Sequence, residues 1–225
     1  MQASELFNQP NTILLDGGMG TMLQAAGMKL GTRPEDLNIE NPELIRSIHA
    51  KYAAAGSRVV NANTFGASPH KLADSKYTLE EVITAGIANC KQGVAPYGAL
   101  VTLDVGPLGE LLEPSGTLAF EDAVAEYGRI VRAGVAAGAD ILYFETFTDL
   151  YEMKAALLAA KENSTLPIMA SMSFEANGRT FTGCTVESFA ATARGLGANA
   201  VGINCSLGPK EIFPMAKRLA EAVPG

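Results

Sequence analysis

The residues best suited to chemistry stand at the ends of short apolar runs. Asp16 ends the run TILLD, and Glu145 follows the run ILYF. A carboxylate in apolar surroundings is costly unless a cation pairs with it. Glu145 is therefore a candidate for holding a substrate ammonium, with an internal salt bridge as the alternative. Asp16, at the carboxyl end of a predicted strand, is expected to face the same pocket.

Three glycines follow Asp16 in the stretch LLDGGMGT, beginning with Gly17 and Gly18. No Lys-Ser or Lys-Thr follows at the spacing of a phosphate-binding loop, and Leu23 stands where a dinucleotide fingerprint needs its third glycine. A nucleotide loop is therefore not expected. A tight strand-to-helix turn and a loop that binds another ligand both remain open.

Three cysteines at wide spacing do not form a disulfide framework. Cys205 ends an apolar run just before a helix that begins at Pro209, where a thiolate would be stabilised. Cys205 is thus a candidate metal ligand, although burial as a small apolar residue is the plainer interpretation. Cys184 lies in a loop on the same expected face, and Cys90 is typical of a packed helix residue.

Other polar residues give weaker signals. Asp104 in LDVGP could equally face the pocket, form a turn or cap a helix. His49 and His70 lack the sequence context of a catalytic triad and are expected to be structural or exposed.

Six apolar runs, each followed by a helical pattern, predict repeated βα units with strands buried on both faces. Helices are predicted between them, for example after Asn41 as N-cap with Gly56 as the stop. The predicted strands cover residues 12–16, 58–64, 99–106, 140–146, 167–174 and 199–206.

Such units can form a doubly wound sheet or most of an eight-stranded barrel. Polar residues end nearly every predicted strand, which favours the barrel, because a doubly wound sheet gathers its ligand at one switch point. The predicted fold is α/β, a (β/α)8 TIM barrel truncated to about six βα units. Residues 1–225 are expected to be one barrel domain, incomplete at the C-terminus, with unpaired edges on the first and sixth strands.

Composition excludes several classes of partner. The formal charge of -7 with scattered Lys and Arg argues against nucleic acid. No run approaches the roughly 20 apolar residues that span a membrane, and the N-terminus lacks the pattern of a signal peptide. A cytoplasmic protein is expected.

Seven stretches in chain order together resemble the homocysteine S-methyltransferase family, and within it the homocysteine-binding domain of the cobalamin-dependent methionine synthases. They are LLDGGMGTMLQ, PEDLNIENPELI, VVNANTFGASPHKL, DVGPLGELLEPSGTL, FETFTDLYEMKAAL, GRTFTG and GINCSLGPKEI. The resemblance runs from about residue 12 to the end of the sequence.

The resemblance implies a zinc ion held by three cysteines, of which Cys205 is the first, while the other two belong to a motif expected beyond residue 225. It also implies that Asp16, Gly17, Gly18 and Glu145 bind the amino acid end of homocysteine, with Thr64 as a neighbour. Zinc would deprotonate the homocysteine thiol. Methylcobalamin would then donate the methyl group to give methionine, and methyltetrahydrofolate would restore the donor. The implied partners are homocysteine and the cobalamin- and folate-binding domains.

Two other functions stay open. A cobalamin-independent methyltransferase with a sulfonium or betaine donor would share the motifs at the strand ends. A non-catalytic amino acid binder without zinc would keep the pocket but lack the metal.

Overall fold

A single sheet of five parallel strands forms the centre of the structure, a computed structural model that describes residues 3–8, 10–29 and 31–223. Its strands pair in chain order and curl into a half-barrel, so the expected truncated TIM barrel is confirmed. Sequential order leaves no reversal of the kind that defines a doubly wound sheet. The strands are β1 (Val59–Asn61), β2 (Leu100–Val105), β3 (Ile141–Phe147), β4 (Ile168–Met172) and β5 (Ala200–Ile203).

Helices connect the strands and cover the outer face of the sheet. Asn41 caps one of them as predicted, because its side chain accepts a hydrogen bond from the Leu44 amide, and Gly56 follows the helix with a φ of 111°. None of the helices in the described ranges is both long and apolar enough to cross a membrane. The helices are α1 (Ala3–Leu6), α2 (Met19–Ala25), α3 (Leu37–Glu40), α4 (Pro42–Ala54), α5 (Leu79–Val94), α6 (Phe120–Ala136), α7 (Leu150–Asn163), α8 (Val186–Gly195) and α9 (Pro209–Ala222).

The predicted first strand at residues 12–16 is present only as a single parallel bridge between Leu15 and Val59. The Arg58 amide donates to the Leu14 carbonyl at 2.8 Å, so the segment follows β1 without forming a ladder. In the described chain no second strand lies on the far side of this segment. The expectation of a full strand here is therefore wrong.

Alternation along the strands gives the half-barrel an apolar outer face and a layered inner face. The outer residues, such as Val101 and Leu103, join the main core beneath the helices. Nearest the amino ends of the strands, the inner residues form a small apolar core capped by Leu6 of α1. This inner core contains Val59, Leu100, Ile141, Tyr143 and Met169.

Further along each strand, the inner positions become polar. Thr102 donates to Asn61 on the neighbouring strand at 2.8 Å, and the Tyr143 hydroxyl lies 2.9 Å from the Ser171 hydroxyl. The next inner position on two strands is a carboxylate, Asp104 on β2 and Glu145 on β3. The fold thus changes from apolar to acidic toward the carboxyl ends of its strands, the end that carries active sites in such barrels.

Candidate active site

Three carboxylates gather at the carboxyl ends of the strands: Asp16, Asp104 and Glu145. The charge of Glu145 raises the pKa of both Asp16 and Asp104, and the charge of Asp16 also raises the pKa of Asp104, which indicates that they share one site. No Lys, Arg or His nitrogen of the described residues lies within 4.0 Å of any of them. Among the residues that the structure describes, Glu145 therefore has no salt bridge, and the site gathers acidic groups without an internal cation.

Asp16 is held just past the bridge between Leu15 and Val59. Its Oδ2 atom accepts a hydrogen bond from the Asn61 amide at 3.0 Å, while its Oδ1 atom is buried with no partner. Burial is the main cause that raises the pKa of Asp16 to about 7, and the charge of Glu145 adds to it. Near neutral pH this carboxyl is balanced between its two forms, and a cation beside it would favour the charged form.

Asp104 is the most deeply placed acid of the three, with 6% of its surface exposed. Burial, followed by the charges of Glu145 and Asp16, raises its pKa well above the ordinary range. Its side chain accepts no hydrogen bond from the described residues, and its Oδ1 atom is buried. The turn or capping role that the sequence allowed for Asp104 is therefore not found.

Glu145 lies beside Asn204, which follows β5. The Asn204 Nδ2 atom donates to the Glu145 Oε2 atom at 3.0 Å. Burial raises the pKa of Glu145, and the nearby Tyr143 hydroxyl partly opposes that rise. Two neutral groups, the Asn204 amide and the Tyr143 hydroxyl, thus contact this carboxyl group, and neither supplies a positive charge.

The glycine loop after Asp16 lies against Tyr52 of α4. The Tyr52 hydroxyl donates to the Gly18 carbonyl at 3.1 Å, and a Cβ atom on Gly17 would lie 2.9 Å from two atoms of the same side chain. A side chain at position 17 would therefore require the Tyr52 ring to shift. Gly18 precedes α2 with φ −62°, a conformation open to other residues.

Thr64 is buried, with 1% of its surface exposed. Its hydroxyl donates to the Asp104 carbonyl at 2.8 Å and accepts from the Asp104 amide at 3.1 Å. Both bonds fix the backbone that carries Asp104. The structure therefore gives Thr64 a role in positioning Asp104, while contact with a substrate stays a prediction.

Cys205 is exposed at the same end of the sheet, next to Asn204, whose Nδ2 atom lies 3.5 Å from the thiol sulfur. A thiolate is a preferred zinc ligand, so this residue fits as one member of a zinc site. A structural or catalytic zinc needs at least three protein ligands. In the part of the chain that the structure describes, no group of three His, Cys, Asp or Glu residues could hold a metal. Cys205 is therefore the one zinc ligand that the described part of the chain offers at this site.

The remaining cysteines and histidines lie away from this chemistry. Cys90 is fully buried in α5, as predicted. Cys184 is half-buried and lines a separate surface cavity of about 640 Å³ with Asp149. His70 pairs with Glu110 at 2.9 Å on the surface.

His49 is completely buried, and neither ring nitrogen has a partner. Burial lowers its pKa to about 4, so the ring is neutral at physiological pH. It is a core residue of α4.

Sequence reasoning did not assign site roles to Asn204, Tyr143 and Ser171. Side chains alternate between the two faces of a strand, so Tyr143 and Glu145 share one face of β3, and Ser171 and Ser173 are likewise two positions apart. This spacing is a signal that could have identified the inner face. Asn204 precedes the candidate metal ligand, but its bond to Glu145 joins residues 59 positions apart. Such a contact leaves no local pattern.

A parallel half-barrel with unpaired carboxylates and a thiol at the carboxyl ends of its strands defines a small-molecule site of the (β/α)-barrel class. Comparison with known proteins identifies the family within this class. The family model for homocysteine S-methyltransferase matches residues 13–224, and the chain belongs to that family.

Among curated proteins, a methionine synthase from Mycobacterium tuberculosis is 28% identical over 223 residues, covering 91% of this chain. The chain spans 19% of that relative's length.

Two solved structures show the same fold. The homocysteine methyltransferase MmuM from Escherichia coli, in its metallated form, gives a TM-score of 0.85 at 24% identity, covering 99% of this chain and 84% of that one. The carboxyl transferase domain of Rhizobium etli pyruvate carboxylase with 3-bromopyruvate gives a TM-score of 0.55 at 18% identity. The match covers 98% of this chain and 35% of that one. At these identities the likeness supports the fold alone.

Proposed function

We propose that this chain is the homocysteine-binding part of a methionine synthase, in which homocysteine is methylated to methionine. Membership in the homocysteine S-methyltransferase family and the methionine synthase relative support the reaction. The observation that carries the proposal is the group of three acids, Asp16, Asp104 and Glu145, with no internal cation. Such a group is suited to the ammonium of an amino acid.

In this proposal Asp16 and Glu145 bind the homocysteine ammonium, because their free oxygens lack a cationic partner. The raised pKa of the buried Asp104 means that its charged form is favoured only beside a cation, so this position prefers an ammonium to an anion. The backbone N–H groups of Gly17 and Gly18 bind the substrate carboxylate, since the loop brings no side chain of its own that would block them.

Cys205 is proposed as one ligand of a zinc ion whose other ligands lie outside this sequence. When bound, zinc supplies the deprotonation of a coordinated thiol, which converts homocysteine into a nucleophile at neutral pH. The proposed methyl donor is methylcobalamin, carried with methyltetrahydrofolate by other domains. In this proposal the chain binds the amino acid end of homocysteine and thereby positions the homocysteine sulfur near Cys205.

The ammonium assignment is tested by calorimetric titration of the chain with L-homocysteine and with 4-mercaptobutanoate, which lacks the amino group. Asp16→Asn and Glu145→Gln should each weaken homocysteine binding by roughly 10-fold to 100-fold, the effect of one charge-assisted contact. Binding of 4-mercaptobutanoate should change little. Asp74→Asn, at an exposed position, is the control. Equal losses for both ligands would contradict the assignment.

Binding should also depend on pH in a defined direction. An ammonium binds the charged form of Asp16, whose pKa is raised to about 7 in the free chain. Homocysteine affinity should therefore rise between pH 5.5 and 7.5, with release of protons. Titrations in two buffers of different ionisation enthalpy measure that release, and uptake of protons would refute the model.

The metal and the donor are tested on the full-length protein that contains this chain. Its zinc content should fall in Cys205→Ala, while Cys90→Ala should retain the metal. Methyl transfer should occur from methylcobalamin. Transfer from a sulfonium or betaine instead would establish a cobalamin-independent enzyme.

A further inference from the structure

Asp104 differs from the other two acids of the site in what surrounds its side chain. It is buried, with 6% of its surface exposed, whereas Asp16 and Glu145 are half-buried. Asp16 accepts a hydrogen bond from the Asn61 amide, and Glu145 accepts one from the Asn204 side chain. The Asp104 side chain accepts none from the residues that the structure describes, and its Oδ1 atom is buried without a partner. Asp104 is therefore the acid whose charged form receives the least support.

The backbone on both sides keeps the Asp104 side chain in this position. The Thr64 hydroxyl donates to the Asp104 carbonyl at 2.8 Å and accepts from the Asp104 amide at 3.1 Å. Toward the other edge, β2 pairs in parallel with β3, and Asp104 lies opposite Tyr143. Every residue of β2 is buried. Because the strand is held along both edges, the carboxyl group cannot reach bulk water by a movement of its backbone.

The charges that act on Asp104 are all of its own sign. Burial is the main cause that raises its pKa well above the ordinary range, and four neighbouring groups raise it further. These groups are Glu145 on β3, Asp16 before α2, Glu35 before α3 and Cys205 after β5. No Lys, Arg or His nitrogen of the described chain lies within 4.0 Å of Asp104. A buried carboxylate with neither a donor nor a cation is costly, and such a group usually stays neutral.

We propose that Asp104 keeps its proton at neutral pH, both in the free chain and beside a bound amino acid, so that the ligand ammonium meets two charged carboxylates. The statement about the bound state rests on the proposed function, whereas the statement about the free chain does not. One ammonium supplies one positive charge, and Asp16 and Glu145 each have a hydrogen-bond donor that supports their charged forms. The ammonium is therefore shared by these two acids.

A neutral Asp104 still has a function in the site. Its carbonyl oxygen can accept a hydrogen bond and its hydroxyl can donate one, which a carboxylate cannot do. It also limits the charge of the site. Divalent cations such as calcium bind where several charged carboxylates converge, so a site with one acid kept neutral favours a ligand with a single positive charge.

The first experiment uses the free chain at pH 8, where Asp16, with a pKa of about 7, is mostly charged. Infrared spectroscopy detects the carbonyl stretch of a protonated carboxylic acid, which a carboxylate lacks. The wild type should show this band, and Asp104→Asn should lose it. Asp16→Asn and Glu145→Gln should keep it. Absence of the band in the wild type would overturn the proposal without any variant, and so would its survival in Asp104→Asn.

The second experiment counts the protons released when L-homocysteine binds at pH 7, by calorimetry in two buffers of different ionisation enthalpy. If Asp104 stays protonated, the number released should be the same in Asp104→Asn as in the wild type. The number should fall in Asp16→Asn, because Asp16 is the acid that ionises. Asp74→Asn, at an exposed position, is the control. A smaller number in Asp104→Asn would show that Asp104 ionises on binding and would overturn the proposal.

A third measurement uses calcium chloride alone as the probe. The wild-type chain should show no saturable heat of calcium binding at pH 7. Saturable binding that is lost in Asp104→Asn would mean that all three acids are charged together, which contradicts the proposal.

These outcomes separate the inference from the proposed function. Homocysteine binding that weakens in Asp16→Asn, with no protonated band in the free wild type, leaves the proposed function intact and overturns the inference. A band that is lost in Asp104→Asn, with no homocysteine binding, supports the neutral Asp104 of the free chain. It also refutes the proposed function and the statement about the bound state.

Discussion

Asp16→Asn should change how the stability of the chain depends on pH. The pKa of Asp16 is about 7 in the folded chain, against 3.8 for an unperturbed side chain. Below pH 3.8 the group is protonated in both states and adds no penalty. As the pH rises toward 7, the unfolded chain releases its proton and the folded chain keeps it, so stability is lost progressively through that window.

The size of the change in unfolding free energy follows from the raised pKa of Asp16. Between pH 5 and pH 7 the unfolded chain has released the Asp16 proton and the folded chain largely keeps it, which corresponds to about 2 kcal/mol at 1.36 kcal/mol per pH unit. Asp16 is partly exposed at the mouth of the half-barrel, and screening by water reduces this to roughly 1–2 kcal/mol. The variant lacks the ionisation and also removes a charge that raises the pKa of Asp104. Both effects act in the same direction.

Urea unfolding at pH 5, 6, 7 and 8 measures the difference. The chain contains no tryptophan, so the helical circular dichroism signal is the suitable probe. The stability of Asp16→Asn relative to the wild type should increase steadily from pH 5 to pH 7 and then level off. Asp74→Asn, which changes an exposed aspartate, is the control for the substitution itself. A flat difference for Asp16→Asn, or one that falls with pH, would refute the burial argument.

Two substitutions outside the acidic group test how its supporting loops are held. Gly106→Ala would place a Cβ atom 2.6 Å from the Phe65 ring and 2.8 Å from the Phe65 carbonyl, so a clear fall in thermal midpoint is expected. An unchanged midpoint would contradict the close approach. Tyr127→Phe removes a 2.9 Å hydrogen bond to the buried Glu152, which should cost about 1–3 kcal/mol in chemical unfolding. The exposed Tyr97 provides the control, because Tyr97→Phe should cost almost nothing; equal costs would argue against a buried bond.

The parts of the fold that depend on neighbours in sequence were predictable. The Asn41 cap and the helix that begins at Pro209 follow from local hydrogen bonding and backbone preference. The strand runs were identified because each is apolar on both faces. The strand at residues 12–16 was overestimated, because this segment makes only one bridge to β1, and the extent of pairing with a distant strand is not visible in local sequence.

The acidic residues of the candidate site were predictable from the sequence, but the interactions that join them to residues distant in sequence were not. Asp16 and Glu145 stood out because each interrupts an apolar context. The role of Asp104 was not predictable, since the sequence LDVGP is also typical of a turn. Its place in the site becomes visible only through its interaction with Asp16 and Glu145, which are far from it in sequence. Thr64 bonds the backbone of Asp104 across 40 positions, a relation that depends on strand pairing.

The acidic site has a cost that the rest of the fold explains. The half-barrel buries large apolar residues beneath its helices, on the face of the sheet opposite the inner polar layer. The carboxyl ends of the strands can then hold acids whose raised pKa values show that burial destabilises their charged forms. A bound cation would remove that penalty, because it favours the charged carboxylates of the folded chain alone. The residues that weaken the free chain are thus those that an amino acid ligand would stabilise.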